Sequence, residues 1–314
     1  MKSGPIIDPE LRALLHEISS DPRSQLMKLV TQGLDARVRL HEPPISEGEP
    51  FLTRAERHLV AEYRHEVGRW LFEGAKLLYL SAPRSLSGAF RGSFAGWGEI
   101  RSLVKLGQER DRLLRQRLLD DESRAALEPS IPAAALGNDA RALAIASLRL
   151  VPRDSARNLL ALASFLLGKR SEGFSELAEI VEHRPTDWYR SVAWQNIAFG
   201  HLEDGDLAAS HAHYLEAHRA GEPRPEPLVG LVTTCLLEGD RGKARRFAGL
   251  LSELPSEGTT ACIGEHREWL AGKHAAGGLA LDARRASEIR EISDELPEVG
   301  RQIAFALLGQ EEES

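Results

Sequence analysis

Apolar side chains recur at helical spacing through most of the chain, and no segment alternates as a half-buried strand would. The first periodic segment, from Pro9 to Ser19, follows Asp8, a suitable helix cap. A longer helix is predicted between Thr53 and Pro83. Its apolar positions are Leu59, Tyr63, Val67, Trp70, Leu71 and Leu78. With a further helix predicted at 100–120, the pattern indicates an all-α fold.

Proline, glycine and serine divide the chain into regions. Residues 41–50 carry three prolines, and residues 81–98 are rich in glycine and serine, so both are predicted to be loops. The predicted organisation is an N-terminal helical region over 1–130, a repeat region over 131–309 that ends in a capping helix at 297–308, and an acidic tail over 310–314.

After residue 130 the pattern changes to short helices separated by turn glycines. Gly168, Gly205 and Gly239 follow one another at intervals of 37 and 34 residues, and Gly137 precedes the first by 31. Self-similarity at such a period indicates stacked helix–turn–helix units.

These units resemble the tetratricopeptide repeat (TPR) over about residues 131–256. The best copy matches at Trp194, Ile197, Ala198, Gly205, Ser210, Tyr214, Ala217 and Pro223, and the copies on either side are degenerate. The resemblance implies a right-handed α-solenoid in which the first helix of each pair lines a concave, partner-binding surface. The partner-binding residues predicted on this surface are Asn158, Leu162, Phe165, Gln195, Phe199, Leu202, Val229 and Thr233.

None of these concave positions is basic, so the carboxylate clamp of some TPR proteins is not expected. An apolar or helical segment of a partner protein fits better. The competing interpretation is that Phe165 and Phe199 are core residues. A second candidate surface is the 81–98 loop, in which Phe90, Phe94 and Trp97 either pack on neighbouring helices or dock a partner.

Charge and cysteine content narrow the classes of partner. The net charge is −7, and residues 1–125 carry 20 basic and 18 acidic side chains, so the repeat region holds the acidic excess. Nucleic-acid binding is not expected, and a basic partner is favoured.

With two cysteines and no signal-peptide-like or membrane-spanning run, a cytoplasmic protein without membrane insertion is predicted. The Arg/Ala-rich composition is typical of a prokaryotic protein.

Two histidine groups are candidates for metal chemistry. His58, Glu62, His65 and Glu66 include a single Glu-x-x-His spacing, but they lie opposite the apolar face of their helix, which favours a solvated surface. His211 and His213 are two residues apart on a helix, so their side chains are expected to diverge. We therefore predict no metal site and no cofactor.

No motif specifies a reaction. Cys235 is expected to be a buried, inert thiol, and no Gly-rich sequence follows a strand as a phosphate-binding loop requires. The sequence thus predicts a non-enzymatic adaptor or scaffold. A structural subunit of a larger assembly is the first alternative, and a metal-binding or enzymatic protein that uses the His58–Glu66 helix face is the second. The partner and the oligomeric state stay open.

Overall fold

A computed structural model describes residues 9–20, 27, 28, 30–32, 34, 54–80, 133–183, 187–275 and 281–310. Within these residues the chain is helical and contains no strand, so the predicted all-α fold class is confirmed for them. The helices fall into two compact units, α1–α4 and α5–α12. The predicted loops at 41–50 and 81–98, the predicted helix at 100–120 and residues 311–314 lie outside the described residues.

Within the described part of the first unit, four helices have defined bounds, and α2 packs along α3. Their bounds are Pro9–Ser20 (α1), Arg54–Leu80 (α2), Ala133–Leu150 (α3) and Asp154–Leu166 (α4). The apolar stripe of α2 is buried at Val67, Leu71 and Leu78, as its spacing predicts, but Leu59 near its start is 41% exposed. The sequence places a boundary near residue 130, whereas the structure groups α3 and α4 with the first two helices because α2 covers α3.

Gly68 brings α2 close to the end of α3. A Cβ atom at this position would lie 2.9 Å from the Val151 side chain, and the Ser147 hydroxyl donates to the Gly68 carbonyl at 2.7 Å. A larger residue would separate the two helices and break a buried hydrogen bond.

Eight helices lie in the part of the second unit that the structure describes. They are Arg170–His183 (α5), Asp187–Glu203 (α6), Leu207–Arg219 (α7), Pro225–Glu238 (α8), Arg241–Ser252 (α9), Ser256–Ala275 (α10), Ala283–Ser293 (α11) and Glu298–Leu307 (α12). Helix α8 is buried continuously from Glu226 to Leu236 and packs against α6, α7, α9, α10, α11 and α12. It is the centre of this unit. The last helix matches the predicted capping helix to within a residue at each end.

Two Gly-Asp turns connect α6 with α7 and α8 with α9. Gly205 and Gly239 both have φ of 78°, a left-handed conformation that glycine adopts without strain. The next amide reaches back to the preceding helix, from Asp206 to the His201 carbonyl and from Asp240 to that of Cys235, both at 2.9 Å. Each aspartate then caps the following helix, so a dipeptide ends one helix and starts the next.

Small residues permit close helix contacts in this unit. Ala198 and Ser210 are fully buried. At Gly230 on α8, an added Cβ would lie 2.3 Å from the ring of Tyr214 on α7. The Tyr214 ring therefore occupies the space that a side chain at residue 230 would need.

Candidate protein-binding face

Side chains of α6 and α8 form the surface on which α10 lies. We call this surface the α6–α8 face; its residues are Gln195, Phe199, Leu202, Val229 and Thr233. Within each helix they are spaced three or four residues apart, which places them on one side of that helix. All five are less than a tenth exposed.

An aromatic contact joins α6 to α10. The ring centroids of Phe199 and Trp269 are 5.1 Å apart at an interplanar angle of 62°. This edge-to-face arrangement is favourable for aromatic rings beyond the area they bury. Trp269 also lies beside His266, at 5.2 Å between centroids, so two neighbouring turns of α10 present rings to the face.

A mostly buried carboxylate lies one turn beyond Phe199. Glu203 is 12% exposed, and its Oε1 accepts from Lys273 Nζ at 2.8 Å and from Trp269 Nε1 at 3.3 Å. Its Oε2 accepts from Arg170 Nη2 of α5 at 2.9 Å. Burial by itself would raise the pKa of Glu203, but the hydrogen bonds and positive charges of Lys273 and Arg170 together lower it. The carboxylate is therefore held ionised, and it ties α5 and α10 to α6.

A buried histidine links α10 to α8. His266 is fully buried, and its Nε2 is 2.8 Å from Thr233 Oγ1. Thr233 already donates to the Val229 carbonyl at 2.8 Å, so the geometry assigns Nε2–H of a neutral imidazole as the donor to Thr233. Burial lowers the pKa of His266 to about 3, which keeps the ring neutral.

A second polar cluster lies at the start of α8. Arg224 is 7% exposed, and its Nη2 donates to Ser191 Oγ at 2.8 Å and to Gln195 Oε1 at 3.2 Å. Its guanidinium carbon lies 4.6 Å from the ring centroid of Trp188. Burial lowers the pKa of Arg224, opposed by the negative charge of Glu226. The cluster joins the first turn of α8 to two turns of α6.

The structure places most of the predicted concave residues in the interior. Seven of the eight are less than a tenth exposed: Asn158, Leu162, Gln195, Phe199, Leu202, Val229 and Thr233. Phe165 is half-buried. Asn158, Leu162 and Phe165 belong to the first unit and the other five to the second. The expected open groove is thus not present at the five residues of the second unit. Helix α10 lies on Phe199 and Thr233, Arg224 contacts Gln195, and Leu202 and Val229 are buried in the core. Their contact with a partner stays a prediction, and Phe90, Phe94 and Trp97 lie outside the described residues.

The histidine motif of α2 lies on a solvent-exposed surface. The side chains of His58 and Glu62 are 75% and 62% exposed and are 3.3 Å apart. His65 contacts Arg153 instead of joining them. Within the described ranges, no group of three or more His, Cys, Asp or Glu side chains converges as metal ligands do.

The histidines of α6 and α7 contribute to packing. His201 stacks on Phe174 at 4.8 Å and on His213 at 5.2 Å between centroids. His213 in turn stacks on Trp194 at 4.9 Å. His211 points elsewhere, with its Nδ1 3.6 Å from Cys235 Sγ, so the predicted divergence of His211 and His213 is confirmed. Cys235 is buried as predicted, and burial raises its pKa to about 12.

Comparison of the chain with protein families, with curated proteins and with solved structures gave no match. None of the helices that the structure describes combines the length and the apolar character needed to cross a bilayer.

Sequence reasoning missed four side chains that contact or border this face: Glu203, Arg224, Trp269 and Lys273. One local signal was available. A tryptophan and a lysine four residues apart in α10 share a face, and Phe199 and Glu203 have the same spacing in α6. The contact between these two pairs is a tertiary contact, and the local sequence pattern does not predict it.

Proposed function

We propose that the chain is a non-enzymatic adaptor or scaffold that binds a helical segment of another protein on the α6–α8 face. The observation that carries this proposal is α10 itself, a helix that contacts Phe199 through Trp269 and Thr233 through His266, and the neighbouring Glu203 through Lys273. Docking of a helix on a surface of another protein is a common mode of recognition. The face therefore has the chemistry needed to bind a helix.

The proposal includes a TPR-like arrangement of helix pairs over residues 131–256, wound as a right-handed α-solenoid. It is supported by the left-handed glycines at 168, 205 and 239, which have φ of 72°, 78° and 78°. It is also supported by the burial of the small residues Ala198 and Ser210. Arrays of this kind recognise proteins through extended surfaces.

The buried carboxylate at position 203 favours a partner helix with a positive charge. A carboxylate held ionised in the interior is stabilised by cations that approach it closely, and Lys273 supplies one of them in this structure. The acidic excess of residues 126–314, with 20 basic and 29 acidic side chains, favours the same class of partner at long range.

The test is affinity purification of the tagged chain from its native cell, with identification of the chains that co-purify. The wild type is compared with Lys273→Ala, which loosens α10 but leaves the face unchanged. If a partner helix uses the face, recovery of the partner rises in this variant. The matched control is Lys243→Ala, which removes an exposed lysine 2.7 Å from Asp240 on α9 and leaves recovery unchanged.

Two results would contradict the proposal. If no chain co-purifies in proportion to the bait, the adaptor function fails. If a partner is recovered equally from the wild type and Lys273→Ala, the adaptor function stands but its site lies elsewhere, with the 81–98 loop as the next candidate.

A further inference from the structure

Helix α10 contacts α6 at two separate points. On each helix, the two contacting residues are one turn apart. Phe199 and Glu203 are four residues apart on α6, and Trp269 and Lys273 are four residues apart on α10. The aromatic residues meet at 5.1 Å between centroids, and the charged residues meet at 2.8 Å. Recognition at two matched points fixes both the direction and the register of the helix that lies there.

The rest of α10 is divided between a buried side and a solvent side. The buried residues are Thr259, Cys262, Ile263, His266, Trp269 and Leu270. Arg267, Glu268 and Ala271, between or beside them, are exposed. Helix α12 packs against α10 as well, and His274 Nε2 lies 3.2 Å from the Ala306 carbonyl. Thus α10 buries one side, with Cys262, Ile263, Trp269 and Leu270 in the core of the unit, and exposes the other side to solvent.

The sequence of α10 is a poor helix former. It contains glycines at 258, 264 and 272 and the pair Thr259–Thr260, all unfavourable in a helix interior. At Gly264 a Cβ atom would meet nothing within 4 Å, so packing does not require a glycine there. A helix that is weak by itself and solvated on one side depends on its docking contacts, so weakening those contacts is expected to favour its opening.

We propose that α10 is an exchangeable occupant of the α6–α8 face, and that the partner helix which replaces it carries a tryptophan and, four residues later, a lysine. The tryptophan lies against Phe199 and donates its indole N–H to Glu203, and the lysine pairs with the same carboxylate. This inference rests on the proposed function and names the chemistry of the partner. The occupant is a helix of another protein, and a second copy of this chain is an outcome that the test separates.

The experiment uses the full chain with the double change Trp269→Ala and Lys273→Ala, which removes the two contact points of α10 on α6 but leaves the residues of the face unchanged. The probe is a fluorescent synthetic peptide with the sequence of residues 256–275. The double variant is expected to bind the peptide at least tenfold more tightly than the wild type, whose face is occupied. A peptide with both the tryptophan and the lysine replaced by alanine is expected to bind at least tenfold more weakly to the double variant.

The matched control is Arg267→Ala with Glu268→Ala, which changes two exposed residues of the same helix and leaves peptide binding at the wild-type level. Hydrogen exchange of the unmodified wild type gives an independent readout. Amides of α10 are expected to exchange through an opening that leaves α8 protected. This measurement also decides the matter if the double variant does not fold.

Three results would overturn the inference. The first is a folded double variant that does not bind the peptide. The second is wild-type exchange of α10 only together with α8, since α10 is then a permanent part of the core. The third is a concentration-dependent dimer in which α10 is exchanged between two copies. A native partner that co-purifies but lacks a Trp-Lys helix would leave the adaptor function standing and remove only this inference.

Discussion

Lys273 on α10 places its ammonium group 2.8 Å from a carboxylate oxygen of Glu203 at the end of α6. The side chain of Glu203 is 12% exposed and that of Lys273 is 26% exposed. The carboxylate is therefore largely shielded from water, whereas the lysine is partly hydrated. An ionised group in that setting contributes to stability only while its partners are in place. The pair therefore links the ionisation of one side chain to the docking of a whole helix.

Replacement of Glu203 by glutamine tests this link through pH. The pKa of Glu203 is lowered on folding, so its contribution is fully present above its ordinary value near 4.5 and is lost as pH falls through the lower folded value. At pH 7 we expect Glu203→Gln to reduce the free energy of unfolding by about 2 kcal/mol, the scale of hydrogen bonds to a charged group. The difference between wild type and variant should shrink below pH 4.5, as measured by urea denaturation.

The control for this change is Glu216→Gln, whose carboxylate pairs with Arg219 on an exposed surface of α7 at 3.1 Å. Its effect should stay within about 0.5 kcal/mol at any pH. A Glu203→Gln variant with wild-type stability at neutral pH would mean that the carboxylate does not hold α10.

His266 gives the second prediction. Folding favours its neutral form, and its effect on stability begins at a higher pH than that of Glu203. Its folded pKa is about 3 and its ordinary value 6.5, so folding favours the neutral ring and the unfolded chain binds a proton first. Stability is thus complete above pH 6.5 and falls as the pH is lowered toward 3. Between pH 6.5 and 5 this group should remove about 2 kcal/mol from the free energy of unfolding.

The measurement is urea denaturation of wild type and His266→Gln at several pH values. The glutamine amide can still donate to Thr233 but does not titrate, so the difference between the two curves isolates His266. His58→Ala, which changes an exposed histidine of α2, should follow the wild-type curve. Parallel curves for wild type and His266→Gln would contradict a buried neutral imidazole.

Local signals predicted the helices and turns of the second unit better than its tertiary contacts. The Gly-Asp turns at 205 and 239 depend on residues within one turn of each other, so the sequence suffices to predict them. The pairing of Glu203 with Lys273 joins residues far apart in sequence and depends on where α10 packs. A repeat pattern places the next helix beside its predecessor and contains no information that α10 reaches back to α6. For that reason the concave residues were expected to be open and are buried.

Two glycines give a matched pair of opposite predictions. Gly230→Ala should destabilise the protein by about 1–3 kcal/mol, because its methyl group would lie 2.3 Å from the Tyr214 ring and force α7 and α8 apart. Gly264→Ala should stabilise it by about 0.5–1 kcal/mol, because the same methyl group meets nothing within 4 Å and alanine favours the helix. Thermal melting of both variants checks the signs. If Gly230→Ala melts as wild type, α7 and α8 are further apart than the structure has them.

Replacement of Phe199 tests whether this residue of the α6–α8 face is a core residue or a partner-binding residue. The side chain is 3% exposed and meets Trp269 edge to face, so it belongs to the core while α10 is docked. Phe199→Ala should then lower the free energy of unfolding by about 3–5 kcal/mol, the usual cost of removing a buried aromatic ring. The exposed Leu59→Ala on α2 should cost less than about 0.5 kcal/mol and serves as the control. A Phe199→Ala variant of near-normal stability would mean that α10 spends much of its time away from the face, leaving Phe199 in solvent. That result would contradict the predicted cost and, at the same time, strengthen the case for exchange of α10 with a partner helix.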